Sequence, residues 1–197
     1  MRTLVYIPIM RTQAEISTLA DVLQRRGLSL QEWKRSSPTS GPLWLAIREV
    51  IEKMDLPYPR VRLYQDGLPQ NNREVQMVMD LAQTGSPNHQ LLLFLIQKGA
   101  TLVGAESPEL LLEDYQLVRQ TLDAPGLGEP KEVEARRQLL SSALLERRDR
   151  YIGQRIDETL LQEEMGILFL DMLHSVGKHL PSDIRVLYPI LRPAGEN

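Results

Sequence analysis

Four short apolar segments of this chain each run into a polar or charged group. LVYIPI meets Met10-Arg11-Thr12, VRLY leads to Asp66, TLVG leads to Glu106, and GILFL ends at Asp171 with His174 three residues on. Glu106, Asp171 and His174 offer the mixed oxygen and nitrogen donors that suit zinc, manganese or iron, or else an acid/base pair for hydrolysis. No HExxH or similar local motif links them, so the fold has to assemble any such site. Glu106 directly precedes a Ser107-Pro108 helix start, where the positive end of the helix favours ionisation; an ordinary helix-start acid is the plainer reading. Asp66-Gly67 is a strong turn signal. Of the other two histidines, His89 lies in the first turn of an expected helix and His179 beside Pro181, and both read as structural or exposed.

Arginine supplies the second set of candidates. On a helix expected over about 131–161, Arg137, Arg148 and Arg155 project into the sector that also holds Val133, Leu140, Leu144 and Tyr151, the side that faces a core. A buried arginine needs an anionic partner. Either these side chains snorkel or pair with carboxylates such as Asp149 or Asp157, or Arg148 or Arg155 reaches the strand ends and holds a carboxylate or phosphate through its planar fork.

Composition narrows the chemistry. The 197 residues are 42% hydrophobic and 25% charged, enough for one sizeable core and too few for two typical domains. A formal charge of -3 gives no general field for phosphate backbones or anionic lipid. Residues 131–158 carry the main basic concentration, yet acids are interleaved at four-residue spacing, as in Glu132 with Arg136 and Glu146 with Arg150, so no nucleic-acid groove is expected. With no cysteine, disulfides, thiolate metal sites and a cysteine nucleophile are excluded. Neither a GxGxxG fingerprint nor a GxSxG elbow is present. MRTLVYIPIM is only as long as a buried strand and is broken by Pro8, so neither a leader nor a spanning helix is expected, and the reading is a cytoplasmic protein.

The elements that must position these groups are well signalled. Gly41-Pro42, Ser86-Pro87 and Ser107-Pro108 place proline at first helical positions and predict helices over about 43–54, 88–98 and 109–122. Apolar periodicity adds Ala14 to Arg26 and Glu74 to Gln83, and a long polar helix follows over about 131–161, with a bend near Gly153. The apolar run Leu91–Ile96 fits a strand on periodicity alone, but its proline start and Gly99 stop favour a helix. Strands are expected near 3–9, 61–65, 100–104, 167–171 and 184–188, continuous in Val, Ile, Leu and Tyr as doubly covered strands are. Strands alternating with helices imply a single α/β domain over 1–197, with a largely parallel sheet of about four to five strands and helices on both faces. Stretches 36–42 and 123–130 are internal linker candidates. Ligands of such sheets bind outside the carboxyl ends of the strands.

The C-terminal third, RRDRYIGQRIDETL followed by GILFLDMLH and LPSDIRVLYPI, resembles the TraB/PrgY/Tiki group of metal-dependent hydrolases and the related haem-binding ChaN-like proteins. The resemblance covers about 50 residues. It implies that His174 corresponds to a motif histidine, Glu106 to the acid after an internal strand, and Arg148 to a helix arginine near the site. Two departures stand out: Asp171 replaces the glycine of the GxxH motif, and Arg11 stands where the group offers another histidine. The middle stretch, VRLYQDGLP with GSPNHQLLLFLIQKGATLVGAESPELLLEDY, is similar to a family of uncharacterised prokaryotic proteins, which implies no mechanism.

Two functions follow as expectations. One is metal-assisted hydrolysis of an amide or ester, with Glu106 and His174 as ligands of a divalent metal, Asp171 as ligand or base, and Arg148 as oxyanion or carboxylate clamp. The other is a non-catalytic domain that binds a small anion or a protein partner, with Arg11, Arg148, Arg155 and Asp66 around the ligand. A small-molecule or peptide ligand fits either, and the leucine-rich surfaces of 109–122 and 133–161 fit a homodimer in both.

Overall fold

The computed structural model describes residues 1–9, 41–122 and 131–192. Five strands are formed: β1 (Arg2–Ile9), β2 (Val61–Gln65), β3 (Thr101–Val103), β4 (Met165–Asp171) and β5 (Ile184–Leu187). Among the described residues there are five α-helices: α1 (Gly41–Glu52), α2 (Glu74–Gln83), α3 (Pro87–Gln97), α4 (Pro108–Leu122) and α5 (Lys131–Thr159). The strands make one sheet in the order β3-β2-β4-β1-β5, and every pairing is parallel. A single α/β fold of this kind is the architecture that the alternating pattern implies.

Strand alternation divides the core into two layers. Val5 and Ile7 of β1, Val61 and Leu63 of β2, and Ile167 and Phe169 of β4 face Trp44, Ile47 and Ile51 of α1, Val78 of α2, and Leu91, Leu92 and Leu95 of α3. Leu4, Tyr6, Tyr64, Leu168 and Leu170 point the other way, against Ile152 and Ile156 of α5 and Leu160 just beyond it. Both faces are covered, so β1 and β4 need unbroken apolar sequence rather than alternation. Leu91–Ile96 is helical, as its proline start requires, and its buried residues pack on the first layer.

Two glycines are fixed by close approach. At Gly166 a Cβ would stand 2.6 Å from Leu4 Cδ1, and at Gly153 one would stand 2.8 Å from His179 Cβ. Helix α5 is helical through Gly153; the residue admits the short 3-10 turn Val176–His179 against the helix. The expected 36–42 linker is corrected at its end, because Gly41 and Pro42 already belong to α1, where proline is tolerated in the first turn. Residues 36–40 and 123–130, the expected helix Ala14 to Arg26, and Arg11 lie outside the described residues. No helix among the described residues is long and apolar enough to cross a membrane.

Candidate functional site

Register brings three strand ends together. β2 pairs with β4 up to Gln65 opposite Phe169, and the next residue, Asp66, donates its backbone N–H to Phe169 O at 2.9 Å. Beyond Asp66, Gly67 takes φ +73°, which a residue with a side chain resists, and the chain turns so that Pro69 bridges Glu106 in the segment after β3. Leu68 O accepts both Ala105 N–H and Glu106 N–H at 3.1 Å. Gly104 makes this re-pairing feasible, since a Cβ there would lie 2.6 Å from Gln70 Cα. β4 ends at Asp171, whose Oδ1 accepts Leu173 N–H at 2.9 Å and whose carbonyl accepts His174 N–H at 3.2 Å, so the aspartate builds the turn that aims His174. The buried Tyr6 hydroxyl donates to the carbonyls of Leu170 and Asp171, both at 3.1 Å, and fixes the same strand end.

Helix α5 delivers the remaining groups. Leu144, Arg148, Ile152 and Ile156 are buried at four-residue spacing, which is one face of a helix, and Asp149 is buried beside them at i−3 and i−7 from Ile152 and Ile156. Arg148 therefore enters the protein as part of an apolar stripe. Its Nε donates to Glu106 Oε2 at 3.0 Å and its Nη2 to Glu106 Oε1 at 2.5 Å, a two-point fork; Nη2 also reaches Asp66 Oδ1 at 2.9 Å. Nη1 reaches Asp114 Oδ2 of α4 at 3.3 Å. Glu106 is 0% exposed and also accepts Gly67 N–H at 3.2 Å.

Histidine 174, 2% exposed, lies against the same cluster. Its Nδ1 is 2.5 Å from Asp149 Oδ1, and Asp149 Oδ2 accepts Ser175 N–H at 2.8 Å. A carboxylate only accepts, so this bond places the proton on Nδ1 and leaves Nε2 with its lone pair in the neutral ring. Nε2 lies 3.9 Å from Asp66 Oδ1, beyond hydrogen-bond reach.

Burial and pairing act against each other here. Burial pushes the Glu106 carboxyl above its ordinary range; the Arg148 fork pulls it down, and the Asp66 charge adds to the rise. Ionisation of Glu106 was expected to be favoured at a helix start, but removal from water outweighs the helix end, where Ser107 Oγ itself accepts Leu110 N–H. Burial disfavours the Arg148 cation too, yet its bonds to Glu106 and the charges of Asp66 and Asp114 raise its pKa above the usual value, so it stays charged.

The sequence-derived residues thus separate into two groups. Asp66, Glu106, Arg148 and His174 converge, with Asp171 shaping the turn beneath His174. Arg155 stands apart: its Nη1 pairs with Glu158 at 2.9 Å and its Nε reaches Gly104 O at 3.5 Å. Asp149 and Asp157 were expected as partners for the helix arginines; Asp149 holds His174 instead, and Asp157 does pair with an arginine, but with Arg2 of β1. Asp114 and Tyr6 carry no sequence signal that separates them from ordinary surface and core positions. The outer histidines stay outside the cluster, His89 with Nδ1 2.7 Å from Ser86 Oγ and His179 packed on Gly153. Asp66, Glu106 and His174 each present a ligand atom within 4.8 Å of the others. No family model, curated protein or solved structure matches this chain.

Proposed function

We propose that the strand-end cluster is the centre of a metal-dependent hydrolase acting on an amide or ester, the chemistry that the resemblance to the TraB/Tiki group implies. One observation carries the reading: three buried donors, two carboxylates and an imidazole, converge within 4.8 Å, and the imidazole is held from behind by Asp149. Histidine ligands of metals characteristically donate their second N–H to a carboxylate, which fixes the ring and raises its basicity. The donor set fits zinc, manganese or iron and offers nothing to a metal that demands sulfur.

Asp66, Glu106 and His174 Nε2 would hold the ion. A divalent metal there supplies Lewis acidity toward a carbonyl and activates water at neutral pH. Asp149 keeps His174 in the Nδ1–H tautomer and maintains its aim. The Asp171 turn and the Tyr6 hydroxyl fix the end of β4, so the imidazole is aimed by strand and helix together. Arg148 does not stand free as an oxyanion clamp, because its fork is engaged by Glu106 and Asp66.

That same engagement favours a second reading, a non-catalytic domain in which the arginine network simply ties β2, β3 and α5 together. Equilibrium dialysis of the protein against excess zinc, manganese and iron, followed by elemental analysis, separates the two. One ion per chain, lost in His174→Ala and Glu106→Ala variants that remain folded, supports the hydrolase centre and justifies a screen of ester and amide substrates. No bound ion in the wild type or in any variant of the cluster overturns it.

A further inference from the structure

We infer that the Arg148 guanidinium is a built-in stand-in for the metal, holding Asp66 and Glu106 together in the ion's absence and having to leave before a divalent cation can take both carboxylates. This inference rests on the metal-site reading above. The position of one nitrogen carries it: Nη2 lies 2.9 Å from Asp66 Oδ1 and 2.5 Å from Glu106 Oε1, so it already bridges the two carboxylates that the ion would join. The third donor is already aimed there. His174 is 2% exposed, its Nε2 has no hydrogen-bond partner among the described residues, and it faces the same Asp66 oxygen at 3.9 Å.

The arginine also has a place to go. Nη1 lies 3.3 Å from Asp114 Oδ2, and the Asp114 side chain is 35% exposed whereas those of Asp66 and Glu106 are 1% and 0% exposed. A rotation of the guanidinium toward α4 keeps it paired with a carboxylate while releasing the inner two. Exchange of one bound cation for another avoids leaving the fully buried Glu106 carboxylate without the cation it pairs with, a costly state. Binding of the ion is then opposed by the arginine's own bonds. Affinity in the wild type is set by competition and lies below what the three donors alone would give.

Zinc titration calorimetry on wild type, Arg148→Met and Arg148→Lys, with a thermal melt of each with and without zinc, tests this. Arg148→Met should bind one zinc per chain at least about tenfold more tightly than wild type, since breaking a buried pair no longer opposes entry. Zinc should raise its melting temperature by more than it raises that of the wild type. Millimolar methylguanidinium should weaken zinc binding to Arg148→Met, by refilling the vacated position, and leave the wild type unchanged. Adding His174→Ala to Arg148→Met should abolish the gain. Should Arg148→Met fail to fold even with zinc, Arg148→Lys decides: it keeps a cation but cannot reproduce the fork, so tighter zinc binding than wild type supports the inference and equal or weaker binding overturns it. Equal zinc affinity in wild type and Arg148→Met, lost in His174→Ala, leaves the metal site standing and removes the stand-in role. Absence of zinc binding in all three proteins overturns the metal-site reading and this inference with it.

Discussion

His174 Nδ1 and Asp149 Oδ1 lie 2.5 Å apart, joining the turn after β4 to the middle of α5 across 25 residues of sequence. The second oxygen of the same carboxylate accepts Ser175 N–H, so one aspartate fixes both the ring and the backbone that carries it. Asp149 and His174 are both only 2% exposed, so solvent does not readily take over the bonds of the carboxylate.

Asp149→Ala should therefore destabilise the protein by about 1–3 kcal/mol, the cost of leaving buried donors unsatisfied. Asp149→Asn should cost less, since the amide keeps one acceptor and turns the other into a donor. If Asp149 supports a metal-binding His174, both variants should lose zinc affinity by about 10–100-fold. Urea unfolding and zinc titration check the two parts separately. A variant that loses stability with unchanged zinc affinity would show that Asp149 only braces the turn.

A second prediction concerns the Arg148–Glu106 fork. Each member is almost fully enclosed, so removing Arg148 strands Glu106, while removing Glu106 leaves Arg148 with Asp66 and Asp114 alone. Arg148→Met should cost about 3–5 kcal/mol, whereas Arg148→Met combined with Glu106→Gln should cost clearly less than the two single changes added together. Asp66 stays behind in the double variant, so recovery should be partial. A double-mutant cycle by denaturant unfolding reads the coupling directly; additivity would mean that the fork contributes little beyond what its members do separately.

The sequence carried the sheet well because its signals are local. Pro42, Pro87 and Pro108 fall in first helical turns as expected, and the Glu74–Gln83 helix has the bounds that its apolar period predicts. That strand ends of a parallel sheet share an edge is a general rule, but the donor set expected from it was Glu106, Asp171 and His174, whereas Asp66 rather than Asp171 lies within 4.8 Å of the other two. Helical periodicity already placed Arg148 on the core-facing side, but the role of Asp149 was not legible, because adjacent helical positions diverge by about 100° and nothing local marks Asp149 as turning inward beside it. The relation of Asp149 to Ile152 and Ile156, three and seven residues on, marks it only once that face is known to be buried. Choice of partner depends on long-range register, which no local pattern encodes. The direction of the Glu106 pKa was misjudged for a related reason: the helix start is local, whereas the burial that outweighs it comes from β2, β3 and α5 packed together.

His89 offers a pH test away from the cluster. Burial lowers its pKa below 6.5, with its Nδ1 held 2.7 Å from Ser86 Oγ at the start of α3. The unfolded chain then binds a proton more readily than the native one, so His89 contributes stability that is fully present above about pH 6.5 and is lost as pH falls through the lower native value. Unfolding free energies of wild type and His89→Gln, measured from pH 7.5 down to 5, should diverge in slope: the wild type should weaken more steeply on acidification. Parallel curves would mean that the imidazole is protonated equally well in both states.

Glycine 104 provides the last prediction, because it connects packing to the site. A Cβ there would lie 2.6 Å from Gln70 Cα and 2.8 Å from Pro69 O, both backbone atoms of the segment that pairs with Glu106. At Gly166 the nearest atom is the tip of a side chain, Leu4 Cδ1, also at 2.6 Å. Backbone in a paired segment yields less readily than a leucine methyl group, although the leucine is itself in a filled core. Both alanine variants should destabilise the protein, by about 1–3 kcal/mol for overpacking and at the upper end for Gly104→Ala. Only Gly104→Ala should also displace Glu106 from the Arg148 fork, because the 69–70 segment must move for the methyl group to fit. Hydrogen exchange distinguishes the two: faster exchange at Gln70 and Glu106 amides in Gly104→Ala, with those amides unchanged in Gly166→Ala, is the expected pattern. Equal protection of both amides in the two variants would show that the loop absorbs the methyl group without opening the site.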